Sequence, residues 1–334
     1  MFLETRDPTR RFRSAILAVP TLVGTGTRAD PAWRRDTEQG WTNADRAIPS
    51  TPERLLAESD EAFAAERYDE AALGYRLLID SHPSAEQVPR AYVQLMESRF
   101  RSKDYDECLE VIDAILARKP DAETVSLVIR RKYEIGTAYL AGARRRVFGI
   151  SVSAEDEGIS VLDSLVERFP YQPYSDDALY HIGAHFQNRE QYLDAEVVYE
   201  RLIRDYPQSD WASLAEYQIG ASALSRLKGV EYDFAPVDEA ERRFRRYLRL
   251  HPGGDRAEAA DRGLTTVSRL RAEKLFGIAQ FYQREGKPTA VRTYLQRLLR
   301  DHPEAPVADK ARDLLRKITA RSEPTPEEPE GEQP

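Results

Sequence analysis

Apolar side chains recur along most of the chain at the three- and four-residue intervals of an α-helix, in short blocks closed by proline. Six blocks align on Pro83, Pro120, Pro170, Pro207, Pro252 and Pro303. Twelve residues before each proline stand Ala71, Cys108, Gly158, Ala195, Ala240 and Val291. Eight before stand Tyr75, Ile112, Leu162, Tyr199, Phe244 and Leu295, and five before stand Leu78, Ile115, Leu165, Leu202, Tyr247 and Leu298. Offsets of four and three place these side chains on one face of a helix. The proline then ends the helix, because its ring cannot continue the backbone bonding.

Each block follows another helical pattern, and together they predict a hairpin. The clearest is Ser175 to Pro207, where Ile182, Gly183 and Phe186 mark the first helix and Ala195, Tyr199 and Leu202 the second. Small residues at 183 and 195 let two helices approach closely, and the large residues fill the space beside that contact. This is the residue pattern of a tetratricopeptide repeat. The prediction is an all-α solenoid of about six hairpins over residues 51–320, with Ala308 to Ile318 as a closing helix that covers the last repeat. Thr51 is the expected cap of the first helix, with Pro52 at its first position.

The proline spacing is 37 residues for two of the repeats but 50, 45 and 51 across repeats three, five and six. The excess falls in Gly142 to Glu155, which contains Arg144, Arg145 and Arg146; in Lys228 to Val237; and in Asp255 to Arg271, which reads as helical. Insertions of this kind map to one edge of a solenoid and often bind partners.

Residues 1–50 do not share the repeat pattern. Arg10, Arg11 and Arg13 precede a short apolar stretch from Ser14 to Gly24, and Thr27 and Ala29 offer small residues where a leader could be cleaved. The stretch reads equally as a disordered leader with one apolar patch. Residues 30–50, with Trp33 and Trp41, read as a linker. Residues 321–334 are acidic, rich in proline and without an apolar side chain, so they are expected to be disordered.

Composition narrows the function. The formal net charge of −8 gives nucleic-acid binding no overall support. A single cysteine, Cys108, excludes an internal disulfide and a cysteine metal cluster. No apolar run is long enough to span a membrane. His181 and His185 are four apart with Asp177 four before them, but the zinc-protease pattern needs a glutamate between the histidines and Ile182-Gly183-Ala184 stands there. The expectation is no metal, no cofactor and no catalytic arrangement. His82, His251 and His302 each precede a closing proline and read as helix-end residues.

Binding is the expected role. By register, the exposed face of the first helices carries Arg90, Val93, Glu97 and Phe100; Arg130, Tyr133, Thr137 and Leu140; Asp177, Tyr180, Ala184 and Gln187; and Leu214, Tyr217, Ala221 and Leu224. Candidate protein-binding residues are Phe100, Arg130, Tyr133, Tyr180, Gln187, Tyr217 and Leu224, together with the arginine cluster Arg144, Arg145 and Arg146. Aromatic area and arginine suit a peptide partner, although the same tyrosines could pack one hairpin on the next. The arginines of the repeat-five second helix, Arg242 to Arg249, read as a solvated face paired with Glu239 and Glu241.

Residues from about 165 to 316 resemble BamD, the tetratricopeptide lipoprotein family of outer-membrane β-barrel assembly. The likeness lies in Glu167 to Ser175, ERFPYQPYS; in Gly229 to Tyr232, GVEY; in Arg269 to Lys274, RLRAEK; in Ile278 to Gly286, IAQFYQREG; and in the helix ending at Pro303. The resemblance implies an adaptor at the periplasmic face of the outer membrane, working with a β-barrel assembly component and unfolded outer-membrane proteins. The chain departs from that family in carrying two hairpins ahead of the matching region, in a shortened final hairpin, and in lacking the lipid-attachment cysteine. A cytoplasmic interaction scaffold is the alternative.

Overall fold

The computed structural model describes the backbone of residues 33–36, 40–43, 46–49, 51–147, 150–227 and 234–322, with side chains from residue 51 to 320 outside 146–149 and 228–233. The possible leader at 1–29 and the acidic tail beyond 322 lie outside the described residues.

Thirteen helices are described, and twelve of them form six hairpins: α1 (Pro52–Ala64) with α2 (Tyr68–Ser81), α3 (Val88–Arg101) with α4 (Tyr105–Ala117), α5 (Ala122–Leu140) with α6 (Glu155–Arg168), α7 (Ser175–Asn188) with α8 (Tyr192–Asp205), α9 (Asp210–Ser225) with α10 (Ala235–Leu250), and α11 (Ala257–Arg284) with α12 (Pro288–Asp301). The closing helix α13 (Ala308–Ser322) packs on α12. The fold is therefore an essentially all-α tetratricopeptide solenoid.

Every one of the aligned small and large positions is buried. Tyr75, Ile112, Leu162, Tyr199 and Leu295 are wholly inaccessible, and Phe244 is nearly so. The side chains that repeat in sequence thus form the core, which falls in four clusters that follow one another along the array.

Caps and turns are local. Thr51 accepts from Arg54 N at 3.4 Å, Asp121 from Thr124 N at 2.8 Å and Ser209 from Trp211 N at 3.1 Å. Seventeen residues before their closing prolines, Glu66, Lys103, Glu190 and Gly286 all adopt left-handed backbone angles. That conformation lets each first helix stop and reverse within a few residues.

Two regions differ from the sequence expectation. The stretch read as a linker carries three short antiparallel strands, β1 (Trp33–Asp36), β2 (Gly40–Asn43) and β3 (Arg46–Pro49). The repeat-three insertion is a β-ribbon of β4 (Arg144–Val147) and β5 (Ile150–Ser153), so its arginines stand on a strand rather than in a free loop. The repeat-six excess is absorbed by α11, which extends to 28 residues.

Candidate protein-binding groove

Successive first helices touch one another, α3 on α5, α5 on α7 and α7 on α9. Between α5 and α7 they leave a groove of about 540 Å³. Glu134, Thr137, Ala138, Leu140 and Ala141 form one wall, and His181, Ala184, His185 and Asn188 the other. Alanines at 138, 141 and 184 keep the side chains short on both walls.

The polar groups of the groove are held in place. Thr137 Oγ1 donates back to the carbonyl of Tyr133 at 2.9 Å, so its hydroxyl is spent on its own helix. Glu134 accepts from Arg130 Nε at 3.0 Å and from Arg131 Nη1. Arg131 also forms two parallel bonds of 2.7 Å with Glu97, a planar fork that ties α5 to α3 while the guanidinium lies 4.3 Å over the Phe100 ring. His185 Nε2 lies 3.6 Å from Glu155 Oε2, the carboxylate that also receives Arg189 Nη1 at 2.9 Å.

His181 sits among aromatic rings. Tyr133 and Tyr180 each lie 5.9 Å from it, and Trp211 lies 6.5 Å away. Tyr180 stacks on Trp211 at 4.1 Å and 17°, and Tyr133 stacks on Tyr174 at 4.8 Å and 22°. Trp211 Nε1 donates to Asp177 Oδ1 at 2.8 Å, and Ser209 Oγ donates to Asp176 at 2.6 Å, which anchors the start of α9 to α7. Burial lowers the His181 pKa despite the opposing pull of Asp177. Burial likewise pushes the Tyr133 phenol up to about 12, with Asp177 adding to the effect.

The ten candidate residues have varied surroundings. Tyr133 and Tyr180 flank His181 as hairpin-to-hairpin contacts. Phe100 packs under Arg131, Tyr217 packs against Phe244 and Tyr247, Leu224 adjoins the repeat-five core, and Gln187 accepts from the Tyr199 hydroxyl at 3.3 Å. Arg130 is exposed on α5. Arg145 bonds Glu157 at 2.7 Å and Asp106 at 3.3 Å, and Arg144 bonds the Ser151 carbonyl at 2.6 Å. Both are committed to the chain itself; the Arg146 side chain lies outside the described residues.

None of these ten lines the groove. Thr137, Leu140 and Ala184 do, from the wider register set, and His181, His185 and Asn188 join them. The paired histidines were visible in the sequence, but their shared wall depends on where α5 sits. Among the described residues there is no group of three or more His, Cys, Asp or Glu side chains able to hold a metal. No described helix is long and apolar enough to cross a membrane.

The fold is that of a tetratricopeptide scaffold. The chain belongs to the YfiO family, described as outer membrane lipoprotein, which matches residues 148–331. The match begins between β4 and β5 and runs past α13, leaving α1 to α5 and β4 ahead of it. Similar solved structures include a tetratricopeptide protein of Bacteroides fragilis, 14% identical, covering 81% of this chain and 99% of that one with a TM-score of 0.39. The type IV pilus biogenesis factor PilW is 15% identical over 78% of this chain and 97% of its own, with a TM-score of 0.29. Pseudomonas aeruginosa pilF is 11% identical over 79% and 97%, also with a TM-score of 0.29.

Proposed function

We propose that this protein is a cell-envelope adaptor in the assembly of outer-membrane β-barrel proteins. In this reading it resides in the periplasm or on the periplasmic face of the outer membrane. It holds a segment of an unfolded substrate while engaging a component of the assembly machinery. The observation that carries the reading is the groove between α5 and α7, in a chain whose family is that of an outer membrane lipoprotein. Its wall alanines leave room for apolar side chains, and His181, His185 and Asn188 along one wall offer hydrogen bonds to a peptide backbone. No chemistry on the substrate is needed.

Fractionation of native cells, with the amino terminus of the recovered protein read directly, tests the location. The expected result is an envelope fraction and a mature start near Asp30. Loss from the membrane at high salt would indicate attachment through a partner or charge. Wholly cytosolic recovery with Met1 intact would overturn the envelope role and leave a cytoplasmic scaffold.

A further inference from the structure

The second helices of the last three repeats end on a common sequence. Residues 201–207 read RLIRDYP and residues 297–303 read RLLRDHP, whereas residues 246–252 read RYLRLHP. Arginines stand six and three residues before the proline in all three. Two residues before it stand Asp205 and Asp301 in α8 and α12, but Leu250 in α10.

The aspartate neutralises its own arginines. Asp205 receives Arg204 at 2.9 Å and lies 3.7 Å from Arg201. Asp301 receives Arg300 at 2.8 Å and lies 3.6 Å from Arg297. At the end of α10 that carboxylate is missing. Leu250 occupies its position and is 56% exposed. Arg249 is exposed and has no ion-pair or hydrogen-bond partner among the described residues, and Arg246 turns to Glu216 at 3.1 Å. Arg242 and Arg245, further up the same face, are occupied by Glu239 and Glu241.

We propose that Arg249 and Leu250 form a docking site for an acidic protein segment bearing an apolar side chain beside a carboxylate. The partner's carboxylate supplies in trans what Asp205 and Asp301 supply in cis, and its apolar side chain covers Leu250. A protein segment fits better than an anionic membrane. Attraction to lipid headgroups grows with the number of free cations, and here the neighbouring arginines are already paired. One uncompensated arginine beside an exposed leucine instead combines a specific charge contact with apolar area. The site lies on the second-helix face and is separate from the groove between α5 and α7.

The test uses the full chain and a short fluorescent peptide of aspartate and leucine, read by fluorescence anisotropy at low salt. The wild-type protein should bind it, and binding should weaken as salt rises. Leu250→Asp gives α10 the closing Arg-Asp pair of α8 and α12 and should weaken binding about fivefold, as should Arg249→Glu. Asp301→Leu should create a second peptide site at the end of α12. All three positions lie at a helix end, and circular dichroism checks that each variant keeps its helices. Three results would each overturn the proposal: no peptide binding by the wild type, unchanged affinity in Leu250→Asp, or Arg249-dependent capture of phosphatidylglycerol vesicles without capture of the peptide.

Discussion

Gly183 lies directly against the ring of Tyr199. A Cβ placed at position 183 would stand 2.6 Å from Tyr199 Cε1 and under 3 Å from two further ring atoms. Tyr199 is fully buried, so its ring has no free space into which to retreat. The close approach of α7 and α8 therefore requires a residue without a side chain at 183. Gly183→Ala should destabilise the protein by about 1–3 kcal/mol through overpacking. Gly277, inside α11 with nothing within 4 Å of its Cβ position, is the matched control. Gly277→Ala should be neutral or stabilise by up to about 1 kcal/mol. Urea denaturation of both variants measures the contrast.

The same packing logic made the solenoid legible in the sequence. Positions 71, 75 and 78 and their counterparts in the later repeats need only local helix periodicity and a proline to be recognised. The β4–β5 ribbon was harder, because its few apolar residues, Val147, Phe148, Ile150 and Val152, follow three arginines. The strands at 33–49 are equally short and carry no clean alternation. The groove is a relation between two helices that are distant in sequence. Thr137 and Ala184 fell in the right register, but Tyr133 and Tyr180 were drawn into stacking with Tyr174 and Trp211. Nothing local to either tyrosine specifies which neighbour its ring will meet.

Trp211 joins repeats four and five by two different contacts, its ring on Tyr180 and its Nε1–H on Asp177. Trp211→Phe keeps much of the stacking and leaves the Asp177 carboxylate without this donor. It should cost about 1–3 kcal/mol. Trp211→Ala removes both contacts and should cost about 3–5 kcal/mol. Chemical denaturation of the two variants separates the ring from the hydrogen bond.

Acidification should destabilise the fold through His181 and His302. Burial lowers both pKa values below the ordinary 6.5, with Asp177 opposing it at His181 and Asp301 opposing it at His302. As the pH falls through 6.5, the unfolded chain takes up protons that the folded protein does not, so the equilibrium moves toward unfolding. Above 6.5 both states are neutral at these groups and their contribution is intact. Denaturant midpoints should fall between about pH 7 and pH 5, and His181→Gln should show a shallower fall. An equal slope in the variant would remove His181 as a source.

Cys108 occupies a small-residue position in α4, and burial pushes its thiol up to about 12. The native protein should resist alkylation by iodoacetamide at neutral pH, because reaction requires the accessible thiolate. Modification should become complete in denaturant, and mass spectrometry reads both states.

In the proposed role, the groove between α5 and α7 holds a segment of an outer-membrane protein. A photo-crosslinking amino acid at Asn188, on the exposed rim of the groove, tests it most directly in living cells. The same group at Val197, exposed on α8, is the control. The account predicts adducts with unfolded β-barrel precursors from position 188 and not from 197. It also predicts their loss when Ala184→Trp fills the groove. Equal crosslinking from both positions, or adducts at 188 that survive Ala184→Trp, would contradict it.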